Sequence, residues 1–75
     1  MHTYTAIFHR EPDGGYLVEV PALRSCFTQG DNYEEACENA RDVIQLVLED
    51  MLEHGEEIPE DVTVERMTVP KPTSA

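Results

Sequence analysis

The sequence predicts a single small α+β domain with the order β-β-β-α-β, in which one helix packs on a mostly antiparallel sheet. Three observations indicate this fold class: a glycine turn between two β-type segments, a third short segment bounded by proline and glycine, and a long stretch with apolar residues at helical spacing. A chain of 75 residues buries only about 60% of the surface that it exposes when unfolded. The core is therefore small, and self-association would stabilise it.

The first strand is predicted from Tyr4 to Arg10, where aromatic and β-branched residues suit a pleated surface. Side chains alternate between the two faces of a strand. Apolar residues occur in both sets, which are Tyr4, Ala6 and Phe8 on one face and Thr5, Ile7 and His9 on the other. We therefore expect the second face of the sheet to be partly covered, either by the tail of the chain or by another subunit.

A tight hairpin is predicted to join the first two strands. The Gly14-Gly15 pair can adopt the positive φ angles that such a turn needs, and Tyr16–Val20 then forms the second strand. Pro21 ends that strand because it has no N–H for the ladder. Residues Cys26–Thr28 are expected to form a short third strand, which Gly30 breaks.

A long helix is predicted from Tyr33 to His54. Asn32 can cap its first turn with a side-chain oxygen, and Glu35 can return a hydrogen bond to the cap's own N–H, as in a capping box. Gly55 supplies a left-handed exit residue. The apolar side of the helix is expected to pack on the sheet, and it consists of Ala36, Ala40, Val43, Ile44, Val47, Leu48 and Met51.

A fourth strand is predicted near Val62 to Val69, after an extended return at Ile58-Pro59. Because a helical crossover would connect it to the third strand, it should run parallel to that strand. Its apolar residues fall on both faces, a pattern that invites pairing at a sheet edge. We expect the domain to span residues 1–69 and residues 70–75 to form a flexible tail.

The chain is strongly acidic, with 5 Lys plus Arg against 16 Asp plus Glu and a net charge of −11. Such a surface repels nucleic-acid phosphates, because their affinity for proteins depends mostly on Lys and Arg. Two interpretations stay open. The charge can serve solubility alone, or it can attract a basic protein, in which case it would raise the association rate and exclude wrong partners.

Residues capable of chemistry are few and poorly spaced. No two of the three histidines and two cysteines show the spacing typical of metal ligands, so neither a metal nor a cofactor is predicted. Cys26 is expected to be a packed thiol, and a disulfide with Cys37 is not predicted. The chain has neither a signal-peptide pattern nor an apolar stretch of about 18 residues, which indicates a cytoplasmic protein without a membrane span.

Taken together, the segments resemble the HicB-like antitoxins of bacterial and archaeal toxin–antitoxin pairs. The resemblance covers most of the chain, and its motifs are Gly15-Tyr16, Pro21, the Cys-Phe-Thr-Gln-Gly-Asp segment at 26–31, Glu34-Glu35-Ala36 and Glu38-Asn39-Ala40. Each motif is weak alone, but the combination is specific. The positions to which the resemblance gives a structural role are Gly15, Tyr16, Pro21, Cys26, Gly30 and Asn39.

The resemblance implies a fold similar to part of ribonuclease H. That enzyme holds two metal ions with clustered carboxylates, whereas the first strand here carries no acidic residue, and a fold alone does not confer activity. We therefore do not expect an enzyme. The chain departs from the family pattern at residues 22–25, where Ala-Leu-Arg-Ser stands in place of an acidic residue and Leu-Pro-Gly. It also ends without the family's C-terminal DNA-binding domain, so direct DNA binding is not expected.

The resemblance also implies a partner, a small basic HicA-type ribonuclease toxin that cleaves mRNA. The predicted function is to bind and neutralise such a toxin by covering its active and RNA-binding surface. By analogy with the family, Val62–Val69 is expected to form a homodimer or larger oligomer. An alternative is a stand-alone, self-associating domain that acts as a scaffold or small-ligand module without a toxin. The residues assigned to the electrostatic part of toxin binding are Glu34, Glu35, Glu38 and Asp42.

Overall fold

Three short strands followed by one long helix make up the fold in the computed structural model, which describes residues 2–73. The elements are β1 (Ile7–Arg10), β2 (Tyr16–Glu19), β3 (Phe27–Gly30) and α1 (Tyr33–Glu53). The strands form one antiparallel sheet in the order β1-β2-β3. The predicted α+β class is therefore confirmed, although β1 begins later than predicted and β3 lies closer to the helix.

The two faces of the sheet have different surroundings. Val18, at the centre of the sheet, pairs with Phe8 and Thr28, and its side chain is fully buried under the helix. Phe8 of β1 and Ala6, just before that strand, pack against the same cluster, as their predicted shared face requires. Nothing in the described part of the chain covers the opposite face, where the exposed apolar side chains are Ile7, Leu17 and Phe27.

The helix packs on β3 and β2 at the inner face of the sheet, with the apolar stripe that the sequence predicts. Its buried residues are Ala36 and Ala40, so the helix backbone lies close to the sheet. The larger side chains of the stripe pack further along, against a second buried cluster. That cluster consists of Val20, Leu23 and Cys26, and the helix residues around it are Val43, Ile44, Val47, Leu48 and Met51.

Two glycines have roles that differ from the prediction. In the hairpin, only Gly14 has a positive φ, of 96°, whereas Gly15 is buried. Gly30 does not break β3; it is the last residue of that strand and is buried as well. A Cβ at Gly30 would lie 2.7 Å from Cα of Ala36 and 2.9 Å from the carbonyl carbon of Glu35. Gly30 is therefore a point at which the backbones of β3 and the helix approach closely.

The helix begins at the predicted cap, with one change of partner. Asn32 Oδ1 accepts a hydrogen bond from Glu35 N at 2.8 Å. The Glu35 carboxylate in turn accepts from Asp31 N at 3.1 Å, one residue before the predicted donor. At the other end, Gly55 takes a φ of 69°, as expected of a left-handed exit residue.

The predicted fourth strand at Val62–Val69 was wrong, because the described residues beyond the helix join no sheet. The return also passes beside the residues that precede β1 instead of beside β3. The Tyr4 hydroxyl donates to the Pro59 carbonyl, and the Asp61 carboxylate accepts from Thr5 N at 2.9 Å and from the Thr5 hydroxyl at 2.7 Å. These anchors hold the return at the start of β1, out of reach of β3.

Beyond Asp61 the chain projects away from the domain. We call residues 62–69 the arm; its apolar side chains range from 38% exposed at Val62 to 83% at Met67. The radius of gyration is 15.6 Å, compared with about 11 Å for a compact domain of this size. The arm therefore has no cover from its own domain. Met1 and Ser74-Ala75, at the ends of the predicted domain and tail, lie outside the described residues.

Acidification is expected to loosen the anchor at the base of the arm. The backbone and hydroxyl hydrogen bonds from Thr5 hold the pKa of the Asp61 carboxyl below its ordinary value of 3.8. A carboxyl whose pKa is lower in the folded protein adds stability above the unfolded pKa, and that stability is lost as the pH falls through the folded pKa. We expect the Thr5 amide resonance in an NMR titration to shift with a midpoint below pH 3.8, and this shift should be absent in Asp61→Asn. A midpoint at or above 3.8 would contradict this anchor.

Candidate partner-binding surface

An acidic strip runs along the side of the helix that faces away from the sheet. Glu34, Glu38 and Asp42 follow one another at four-residue spacing, so they share one face, and all three are exposed. Glu49 and Glu53 continue the strip towards the end of the helix. Like charges at this spacing destabilise a helix by about 0.2–0.5 kcal/mol per pair. A cationic partner would remove that cost.

The fourth predicted site residue, Glu35, has different surroundings. Its side chain is half-buried, and its carboxylate accepts the hydrogen bond from Asp31 N. It therefore caps the helix start as well as adding negative charge there. The structure brings Glu34, Glu38 and Asp42 together on one face and leaves Glu35 apart from them at the start of the helix.

An exposed leucine, which sequence reasoning missed, lies within the acidic strip. Leu46 is 64% exposed and lines a shallow depression together with Asp42, Gln45 and Glu49. The available signal was its position between acidic residues of the helix surface, outside the apolar stripe. An apolar centre with a charged rim is the usual composition of a protein-binding site. We therefore count Leu46 as part of the candidate surface.

The motif residues near the start of the helix hold it against the sheet. The Asn39 side-chain amide donates to the Gln29 carbonyl at 2.7 Å, so the helix is tied directly to β3. Gly15 lies close to the same strand, since a Cβ there would lie 2.9 Å from the Gly30 carbonyl oxygen. These residues position the acidic strip and are not themselves part of the exposed surface.

Tyr16 belongs to an aromatic cluster on the helix side of β1. Its ring centroid lies 6.0 Å from that of Phe8 and 5.9 Å from that of Tyr33, and the Phe8 and Tyr33 rings are 5.2 Å apart. Tyr33 is 57% exposed. The cluster therefore reaches the surface beside the open edge of the sheet.

The loop between β2 and β3 begins at Pro21 and returns at Cys26. Val20 N donates to the Cys26 carbonyl at 3.0 Å, which closes the loop. Ser25 has a φ of 54°, the left-handed conformation that favours glycine, at the position where the family pattern has glycine.

The two cysteines are both free thiols. Burial raises the pKa of the Cys26 thiol. Cys26 is thus the packed thiol that the sequence predicts.

Other polar side chains are dispersed over the domain. On the outer face of the sheet, His9 Nε2 and Glu19 Oε1 lie 2.7 Å apart. Among residues 2–73, no three His, Cys, Asp or Glu side chains converge as metal ligands. No helix in this part of the chain is long and apolar enough to cross a membrane.

The fold and the acidic strip together define a small α+β domain whose candidate site is an open surface suited to binding another macromolecule. A family model described as the HicB-like antitoxin of bacterial toxin–antitoxin systems matches residues 4–73. The chain belongs to the HicB-like antitoxin family. Membership assigns it to the antitoxin half of such a system in general terms.

Relatives of similar length occur in archaea and cyanobacteria. A UPF0150 protein of Thermoplasma acidophilum is 44% identical over 66 residues, which cover 88% of this chain and 94% of the relative. A UPF0150 protein of Synechocystis is 34% identical over 70 residues, covering 92% and 89% of the two chains. A 14.9 kDa protein of Haemophilus phage HP1 is 42% identical over 52 residues, which cover 69% of this chain but only 39% of that longer relative.

Proposed function

We propose that this protein binds and neutralises a small basic HicA-type ribonuclease toxin by covering its catalytic and RNA-binding surface. The observation that supports this most is the exposed acidic strip on the helix of a HicB-like domain. A toxin that grips RNA phosphates needs a cationic surface. The strip offers carboxylates to that surface where phosphates would otherwise bind. The encounter would take place in the cytoplasm, where mRNA is translated, and it requires neither DNA binding nor catalysis by this chain.

The two kinds of residue in the strip would contribute differently to the complex. Glu34, Glu35, Glu38 and Asp42 would attract the toxin and so raise the association rate, an effect that weakens with salt. Leu46, in contrast, would lose its contact with water at the interface and so lengthen the lifetime of the complex. In this proposal, the affinity depends on the carboxylates and on Leu46, while the association rate depends mainly on the carboxylates.

Reversing the strip's charge is expected to weaken toxin binding strongly. The variant replaces Glu34, Glu38 and Asp42 by lysine and keeps Glu35, because Glu35 also caps the helix. Each exposed ion pair contributes about 0.2–1 kcal/mol, so we expect the dissociation constant to rise roughly tenfold to a hundredfold for three reversals. The toxin for the assay is the small basic protein encoded beside this gene. Calorimetry with the purified pair and growth rescue on co-expression are the two measurements.

A matched control separates local charge from net charge. Lysine at Glu56, Glu57 and Glu60 changes the net charge by the same amount on exposed positions beyond the helix. This control should bind almost as tightly as the unchanged protein, and its on-rate should keep most of its salt dependence. Leu46→Ala should mainly raise the dissociation rate. Equal weakening by both charge variants would mean that only net charge matters, and an unchanged affinity in the strip variant would place the contact elsewhere.

We also propose that the chain forms a homodimer or larger oligomer through Val62–Val69. The arm exposes Val64, Met67 and Val69 to solvent by more than half of their surface, and such a segment is a ready-made pairing element. Mass measurement across a concentration series tests this, since a monomer at the highest concentration would contradict it. The same arm supports the alternative of a self-associating scaffold without a toxin, which becomes the leading account if no neighbouring basic protein binds.

A further inference from the structure

We infer that the arm of one copy lies along the open edge of β1 in a second copy, and that the contact is reciprocal. The inference rests on the proposed self-association and adds the receiving surface. Within residues 2–73, β1 pairs with β2 on one side and with no strand on the other. Its other side therefore presents unpaired backbone N–H and C=O groups, which an extended segment can pair with by adding a strand.

The apolar pattern of the arm matches the surroundings of that edge. If the arm pairs as a strand, Val62 and Val64 lie on one face and Met67 and Val69 on the other. A strand added to a sheet that has apolar neighbours on only one face would leave one of these two pairs in water. At the β1 edge both sides are apolar. The half-buried ring of Phe8 and the exposed ring of Tyr33 border it on the helix side, and Ile7, 39% exposed, borders it on the outer side.

The same apolar surface continues past the start of β1. A groove runs there between the segment that leads into the strand and the second half of the helix, and it is lined mainly by Tyr4, Ile44, Leu48, Leu52 and Ile58. Leu52 is 62% exposed. An arm from the second copy, docked at the β1 edge, would cover the part of this surface nearest to β1 with its Val62 and Val64.

The charge of the arm also favours its binding to the domain of a second copy. Residues 62–73 contain Glu65, Arg66 and Lys71 and so carry a net charge of +1. Residues 1–61 contain three basic and fifteen acidic residues, a net charge of −12. Two acidic domains repel each other, but each attracts the other's arm. The arm is thus the segment of this chain best suited to meet a second copy.

The domain's own arm does not occupy this edge. Asp61 is held beside Thr5 at the foot of β1, yet every residue from Val62 to Thr73 is exposed. The anchor therefore directs the arm outwards from a fixed point next to the edge. Two copies related by a twofold axis can then exchange arms, which satisfies both edges and closes the assembly.

The experiment pairs a variant of the arm with a variant of the edge. Met67→Asp damages the arm and Ile7→Asp damages the receiving edge, and each should raise the dimer dissociation constant about tenfold or more, as the loss of a central apolar contact does. An equimolar mixture of the two should recover part of the dimerisation, because the intact arm of the Ile7→Asp chain meets the intact edge of the Met67→Asp chain. The second contact of that mixed dimer carries both substitutions and stays weak. Sedimentation velocity on the full chain measures all three, with circular dichroism to check that each variant is folded.

Two controls place matched charges elsewhere. Phe27→Asp introduces the same charge on the outer face at β3, the opposite edge of the sheet, and Thr73→Asp introduces it beyond the arm; both should dimerise like the unchanged chain. A second readout does not depend on substituting Ile7: a photo-crosslinker at position 67, in mixed isotope-labelled chains, should join one copy to the β1 edge or aromatic cluster of the other.

The outcomes separate the two proposals. A monomeric unchanged chain would overturn self-association and the edge contact together. A dimer that Met67→Asp breaks but Ile7→Asp does not, with crosslinks away from β1, would overturn only the edge contact. A mixture that dimerises no better than either variant alone would overturn the pairing of the arm with the β1 edge. Toxin binding is measured separately, so its loss or survival bears on neither result.

Discussion

Gly30→Ala is expected to destabilise the domain strongly. The added methyl group would lie 2.7 Å from Cα of Ala36 and 2.9 Å from the carbonyl carbon of Glu35, and both obstacles are backbone. Flexible side chains can move aside, but here β3 would have to separate from the helix. Overpacking of this kind costs about 3 kcal/mol or more when the surroundings cannot yield. Small domains have only about 5–15 kcal/mol of stability in total.

Thermal unfolding followed by circular dichroism measures the effect. A loss of about 3 kcal/mol should lower Tm by about 12–24 °C in a domain of this length, compared at equal protein concentration because self-association also shifts Tm. Gln29→Ala, at the exposed neighbouring position of the same strand, is the control and should change Tm little. A Gly30→Ala variant with an unchanged Tm would show that β3 and the helix are not in close contact.

Val18→Ala is expected to produce the second largest loss of stability. Val18 is 0% exposed at the centre of the sheet, packed against Ala36 and Ala40 of the helix. Removing its two methyl groups loses their burial and leaves a space that the close helix backbone cannot fill, at a cost of about 2–3 kcal/mol. The fraction of unfolded protein should rise accordingly, and urea should unfold the variant at a lower concentration with an unchanged slope.

Leu17→Ala is the matched control for this variant. Leu17 neighbours Val18 on the same strand but points to the outer face and is 37% exposed. Its truncation should cost less than about 1 kcal/mol, because part of its surface is already in water. If the two variants were equally destabilised, the outer face would have to be covered as well, which would point to an additional layer on that side of the sheet.

Local signals were enough to predict much of the candidate site. The four-residue spacing of Glu34, Glu38 and Asp42 puts them on one face of any helix, and their charge keeps that face in water. Leu46 lies outside the predicted apolar stripe, but it was missed because the exposure of a leucine beside that stripe is evident only once the helix is docked on the sheet. Glu35 was assigned both to the partner and to the helix cap, and its carboxylate accepts from Asp31 N instead of from Asn32 N, a difference that depends on the geometry of one turn.

The order of three strands and a helix, the cap at Asn32 and the exit at Gly55 follow from the sequence, because each depends on neighbours only a few residues apart. The role of Gly30 and the path of the arm depend on partners distant in the chain. A glycine after a strand is normally read as a terminator, and only the docked helix shows that its missing side chain makes room for Ala36. Likewise, Val62–Val69 has the composition of a strand, but pairing needs an available edge, and the bonds from Tyr4 and Thr5 to the return direct the segment away from its own sheet.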